Sequence, residues 1–567
     1  MKNNQRWIML PLIASLFGCT HLTNRTDAMT VESVAVSQVK LEPALMFELM
    51  LGEMLAERGD TFSAYNLLFP IAQKTGDVRL AERSFQLAMS AGFAQGIEQS
   101  AELWRSLDPM QASAWRVGYL MALRHDDLEA ALDYWASYRK VSDLDLADDL
   151  RSASAQAIQA TKPETAIAFF QALTRSYPDE WVAGFALGYV ANHYNQPLIA
   201  VETLEDVATR LEAPVEVYFA LSNLYVEQGL TERGLEFLAT FIRQNPEQWM
   251  MQERYARLEV KAEQYLSAKA RYQRIVEANP RAFTSLLSLA LLQLELGELD
   301  AAEIGFRTLV NVEGYKDISY YYLGIISQNT ENLNQAKRYL EQVSHPDYYL
   351  DANLMIAQLL VRLEGLHQGI DHLQALKPVG QEEQVKILRA QGIFHSQFDL
   401  WEQALLFYQQ ALDIKPDDLA ISFAMAMALY ELEMHDEYER LVTDLVKRYP
   451  NEPDALNALG YFYVEQNIKL DEAEVLLERA LAIDPNRYYI LDSRGWLEYQ
   501  RGNYVEAEQY LQRAWSLSKD DEVLIHLIKV KWAQGKQQQA QSLWNEYAPI
   551  FPTNETLQRL INDLANP

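Results

Sequence analysis

The residues of this 567-residue chain that could do chemistry are few, and they are scattered. Cys19 is the only cysteine, and a thiol can act as a nucleophile, take up an acyl group or bind a soft metal. The nine histidines form no local catalytic or metal-ligating pattern. His367 and His372 lie five apart, whereas a spacing of four would put two rings on one helix face. No Gly-x-x-x-x-Gly-Lys phosphate loop, Gly-x-Ser-x-Gly elbow, His-Glu-x-x-His helix or dinucleotide glycine pattern occurs. The expectation is a protein that is not an enzyme, holds no cofactor and no metal, and works by binding.

Cys19 has a setting of its own. Lys2 and Arg6 precede an apolar run from Trp7 to Phe17, too short to span a bilayer but laid out as a secretory signal over residues 1–18. A cysteine directly after such a run resembles the bacterial lipobox, in which the signal is cut before the cysteine and the thiol is lipidated. An incidental cysteine in an ordinary signal is the alternative. Thr20, rather than Asp, follows it, and the resemblance then implies sorting to the outer membrane, with the protein facing the periplasm and held by lipid alone. Residues 19–42 read as the lipidated cysteine and a polar tether.

The remainder is organised by a period. Pro178, Glu212, Pro246 and Pro280 follow one another at equal steps, Pro416 and Pro450 repeat the same step, and Pro485 comes one position late. The step is the tetratricopeptide length of about 34 residues, which marks stacked helix pairs. In one period Leu388 and Gly392 lie on a first helix and Trp401, Ala404, Tyr408 and Ala411 on a second, before a stop at Asp413-Ile414-Lys415-Pro416. Small residues at Gly392 and Ala404 let two helices cross closely while Tyr408 fills the next turn. This is the tetratricopeptide pattern, and it recurs at Gly188, Ser222, Ala290, Gly324, Gly460 and Gly495. The expected fold is all-α, a right-handed superhelical solenoid of roughly 14 helix-turn-helix repeats.

Composition agrees: 49% of residues are hydrophobic, only 19 are proline, and no sustained alternation of polarity marks a strand. The expected divisions are repeats over 43–345, an irregular short repeat over 346–381 around His345-Pro346, Pro378 and Gly380, and C-terminal repeats over 382–567. Asp and Glu number 79 against 49 Lys and Arg, so nucleic acid is an excluded partner. Acidic groups such as Asp126-Asp127 and Asp143, Asp145, Asp148 and Asp149 either attract a basic protein or solvate turns.

In such an array the first helix of each pair lines the inner side. Counting three before, one after and four after the anchors Ala426, Gly460 and Gly495 selects Phe423, Met427 and Tyr430, then Asn457, Tyr461 and Val464, then Asp492, Trp496 and Tyr499. Phe423, Met427, Tyr430, Tyr461, Trp496 and Tyr499 are the candidate protein-binding residues, because aromatics and Met serve binding surfaces. Packing against the next repeat as core is the competing reading. The middle repeats give a more polar set, Phe219, Asn223 and Val226 with Glu253, Arg257 and Val260.

Two ends of the chain carry a more specific resemblance. Leu51 to Asp60 with Thr75 to Arg83, and Ala455 to Tyr461 through Ile490–Trp496 to Trp532–Gly535, are similar to the large outer-membrane tetratricopeptide lipoproteins of proteobacteria. The resemblance implies a periplasmic scaffold that binds a carboxyl-terminal processing protease and brings in its substrates, peptidoglycan hydrolases among them. An envelope or outer-membrane assembly factor, similar to pilotin-like or barrel-assembly lipoproteins, is the alternative. A repeat-bearing glycosyltransferase fits least, since the repeats reach Ala533 and leave no room for a catalytic domain.

Overall fold

The computed structural model describes residues 42–159, 162–547, 550–551 and 559–560. Cys19, the 1–18 signal segment and all but the last residue of the tether lie outside them. Among the described residues thirty α-helices follow one another from Pro43–Glu57 to Gln537–Tyr547, and there is no strand. The fold is all-α, built of tetratricopeptide-type helix pairs.

Most first helices have 13 residues and most second helices 14, as in Val215–Glu227 with Thr231–Gln244 and Pro453–Glu465 with Leu470–Ile483. The turn inside each pair needs one residue in the left-handed region. These residues keep the beat: Asn195, Gly229, Glu263, Gly297, Glu331, Gly365, Asp399, Glu433 and Asn467 all have positive φ, and each stands one full period after the one before. Gly229 takes the conformation freely at φ 68°, whereas the Glu side chains hold it against Cβ strain of about 1 kcal/mol each. Gly365 shows that the beat continues through the segment expected to be irregular. What changes there is helix length, 19 residues for Pro346–Glu364 and 10 for Leu366–Ala375.

The anchors act as the sequence suggests. A Cβ at Gly52, Gly188, Gly324 or Gly495 would come within 2.6–2.9 Å of Leu68, Leu204, Leu340 or Leu511, the leucine holding the same place on the second helix of each pair. A methyl group there forces the partner helix away. Gly460 meets Leu477, which is displaced by one position because the turn between them is longer, with Asn467 and Lys469 both at positive φ. That insertion accounts for the late Pro485.

The acidic groups divide. Asp127, Asp145 and Asp418 cap helices by accepting backbone N–H bonds from Ala130, Asp148 and Ile421. Asp149, expected on a solvated turn or facing a partner, is instead buried on Leu146–Ala157, where Tyr138 donates to it and Arg139 pairs with it.

By its internal contacts the chain divides after Ile275 into two units. The first has an aromatic core of Tyr119, Trp135, Phe169 and Phe170. The second packs Tyr438, Phe462, Tyr463 and Trp496 with Leu456, Leu476 and Leu477.

Candidate docking groove of the C-terminal unit

Four first helices of the second unit carry the predicted residues and their neighbours: Leu419–Glu431, Pro453–Glu465, Tyr488–Gln500 and Asp521–Ala533. They are called below after Ala426, Gly460, Gly495 and His526. Residues three or four apart fall on one face of a helix. That face reads Phe423, Met427 and Tyr430 on the first, and Asp454, Asn457, Tyr461 and Glu465 on the second. On the third it reads Tyr489, Asp492, Trp496 and Tyr499, and on the fourth Glu522, His526 and Lys529.

Hydroxyl groups tie these faces together. Tyr430 donates to Glu465 and Tyr489 to Asp454, each joining adjacent first helices, while Tyr461 donates to Glu522, two repeats further along. That last bond passes over the Gly495 helix. A bond between first helices two repeats apart brings side chains of three consecutive repeats to a common face. Burial and then the Glu522 charge push the Tyr461 phenol well above its ordinary range, and Tyr430 is raised by burial and Glu465 in the same way. Both stay protonated and act as donors. Burial is also the first cause raising Glu522, with the charges of Asp492 and Asp520 adding to it against the Tyr461 bond and His526. Glu522 is nonetheless exposed to solvent.

The stripe is not uniform in exposure. Met427 is 54% exposed, with Phe423 and Tyr430 half-buried beside it. Tyr461 and Tyr499 are half-buried, and Trp496 is only 8% exposed. Trp496 lies between Tyr499, whose ring centroid is 4.4 Å away at an interplanar angle of 7°, and His526, at 4.0 Å and 12°. Lys529 places its ammonium 5.0 Å from the Trp496 centroid, where burial lowers its pKa. The aromatics nearest the C-terminus therefore pack as core, and the accessible part of the stripe is the Ala426 helix. Sequence reasoning missed Glu465, Glu522, His526 and Lys529. The signal for His526 is its place one full period after Asp492.

The polar set in the first unit is also assembled. Arg254 lies 4.8 Å over the Phe219 ring and donates to Asn223, and to the Ser222 hydroxyl at 3.4 Å. Arg257 is turned to Glu253 on its own helix. In the second unit Lys386 pairs with Asp351 at 3.2 Å.

Residues 254–310 match the tetratricopeptide repeat model. The chain is 27% identical over 538 residues to the TPR repeat-containing protein PA4667 of Pseudomonas aeruginosa, an alignment covering 92% of this chain and 90% of that one. Among solved structures, yeast Tom70 aligns with 80% of this chain and 95% of its own, at 14% identity and a TM-score of 0.36. A tetratricopeptide repeat protein from Parabacteroides merdae aligns with 50% of this chain and 98% of its own, at 14% identity and a TM-score of 0.33.

Proposed function

We propose that this chain is a periplasmic scaffold that performs no catalysis and docks a protein partner on the inner face of its C-terminal repeats. The observation that carries the reading is Met427, 54% exposed and flanked by half-buried Phe423 and Tyr430 on one helix face. An adaptable thioether between two rigid aromatics is the make-up of a protein-binding surface. The partner is a carboxyl-terminal processing protease, with peptidoglycan hydrolases as the substrates delivered to it. The support for that is the resemblance of both chain ends to outer-membrane lipoproteins of this kind, together with similarity along most of the chain to a bacterial tetratricopeptide protein. Lipidation at Cys19 holds the scaffold at the outer membrane, so that protease and hydrolase meet at an effective concentration of up to about millimolar.

The test combines the purified protease of the same organism, a hydrolase substrate and this protein. Cleavage is expected to accelerate on adding the scaffold. A Met427→Glu, Tyr430→Phe double variant, which keeps the Tyr430 ring in its packing, should weaken protease binding by roughly tenfold or more with little change in thermal unfolding. Cys19→Ser should move the folded protein from the membrane to the soluble fraction. Cleavage indifferent to the scaffold excludes the adaptor role, and unchanged binding by the double variant moves the docking face elsewhere.

A further inference from the structure

The buried carboxylates of this molecule are matched in two ways. Among the described residues Asp149, Glu259 and Glu498 each face an arginine, Arg139, Arg271 and Arg494. Asp492 on the Gly495 helix is just as deeply buried, at 4% exposure, and faces only a histidine, His526, itself 5% exposed. Both Asp492 oxygens lie 2.9–3.0 Å from His526 Nδ1. Glu522, one turn before His526 on the same helix, brings a second carboxylate, so that ligand atoms of all three residues lie within 4.8 Å of one another. Glu522 receives the Tyr461 hydroxyl, while the nearby ammonium of Lys529 is directed over Trp496. Two carboxylates and one imidazole thus converge where an arginine serves elsewhere.

We propose that Asp492, Glu522 and His526 bind one divalent transition-metal ion, with zinc the best match. One imidazole nitrogen with two carboxylate oxygens is a donor set that zinc accepts, and a water completes a tetrahedron. The ion takes the place of the proton between Nδ1 and Asp492; an imidazolium gives that proton to solvent, and a neutral ring carries it on Nε2 instead. Tetrahedral zinc, with bonds of roughly 2.0–2.2 Å, keeps ligand atoms about 3.3–3.6 Å apart. The imidazole and Asp492, at 2.9–3.0 Å, need to part by only a few tenths of an ångström, and closure then takes a small swing of Glu522. The two buried ligands are fixed in advance: His526 stacks on Trp496, and the Gly495 helix is buried continuously from Ile490 to Glu498. Glu522, open to water, is the entry side. The ion joins two consecutive first helices and bears on the stiffness of the groove floor, whichever partner docks there.

The exposed pairs His125–Glu98, His345–Asp347 and His367–Asp371 lack a third ligand and mark what adventitious binding looks like. The full-length protein, stripped with EDTA, is titrated with Co2+ while visible absorption is followed, and then with Zn2+ as competitor. One Co2+ per chain is expected, with an intense tetrahedral spectrum displaced by Zn2+. Glu522→Gln keeps an acceptor for Tyr461 and should leave unfolding in EDTA unchanged while weakening the ion at least tenfold. His526→Gln should abolish the spectrum; should that variant misfold, Glu522→Gln still decides. Absence of saturable one-to-one binding, or equal affinity in Glu522→Gln, meaning an adventitious surface ion only, overturns the proposal.

Discussion

The helix pairs Val215–Glu227 with Trp249–Lys261, and Pro453–Glu465 with Tyr488–Gln500, are all 13-residue first helices of consecutive repeats, yet their inner faces differ. In the first pair Arg254 crosses to Phe219 and Asn223 while Arg257 remains exposed. In the second, every residue from Ile490 to Glu498 is buried; Glu498 is paired with Arg494, while Asp454 and Asp492 are met by tyrosine and histidine. The backbone period fixes where a side chain stands. Whether it meets water depends on how far the following repeats close over it. Glu259 near the first groove is matched by an arginine, whereas Asp454, Asp492 and Glu522 of the second meet tyrosine or histidine.

Five substitutions test this contrast. Trp496→Ala should be the most damaging, at about 3–5 kcal/mol, because the ring is core between Tyr499 and His526. Chemical denaturation gives the number, and a loss under about 1 kcal/mol would return Trp496 to the surface. In the other unit, Arg271→Leu should cost about 3 kcal/mol, since Glu259 is 3% exposed and would lose its 2.8 Å ion pair. Tyr461→Phe, which leaves Glu522 open to water, should cost far less in the same experiment.

Gly460→Leu should follow at about 2 kcal/mol, since its Cβ would stand 2.9 Å from Leu477 Cγ. Repeat arrays pass damage first to neighbours, so hydrogen exchange should rise around Leu456 and Leu477 and stay unchanged around Phe169. Uniform loss of protection would mean that the units do not unfold separately. The smallest effect is that of pH on Glu508. Burial pushes its carboxyl up, but hydrogen bonds from Lys531 and Lys536 outweigh that and hold it at about 2, against an ordinary 4.5. A carboxylate with a depressed folded-state pKa contributes above its unfolded value, so the stabilisation is complete above pH 4.5 and drains away as pH falls towards 2. After solvent screening it amounts to about 1–2 kcal/mol. Glu508→Gln should lose most of its deficit relative to the natural protein between about pH 6 and about pH 3, read as the difference in unfolding temperature.

Much of the fold was legible because its contacts are local. Gly392, Ala404 and Tyr408 lie within one period, and a glycine that meets a leucine on the second helix of its own pair needs nothing distant to explain it. The segment around His345-Pro346 and Pro378 departs from the usual helix lengths, while the turn beat, carried by Gly365, runs through it. The offsets selected Tyr430 and Tyr461, whose hydroxyls reach Glu465 and Glu522 on other first helices. They were silent on depth, since Met427 and Trp496 hold the same place in their helices and differ from 54% to 8% in exposure.

The sequence by itself determined the repeat length, the small anchors, the turn positions and the helical fold, because each depends on residues within one turn or one helix pair. Only the tertiary structure decided that Tyr461 crosses to Glu522, that Asp492 meets His526 and that Trp496 is enclosed. Those contacts join repeats to their first and second neighbours, and a period states that repeats stack without stating how tightly they curve.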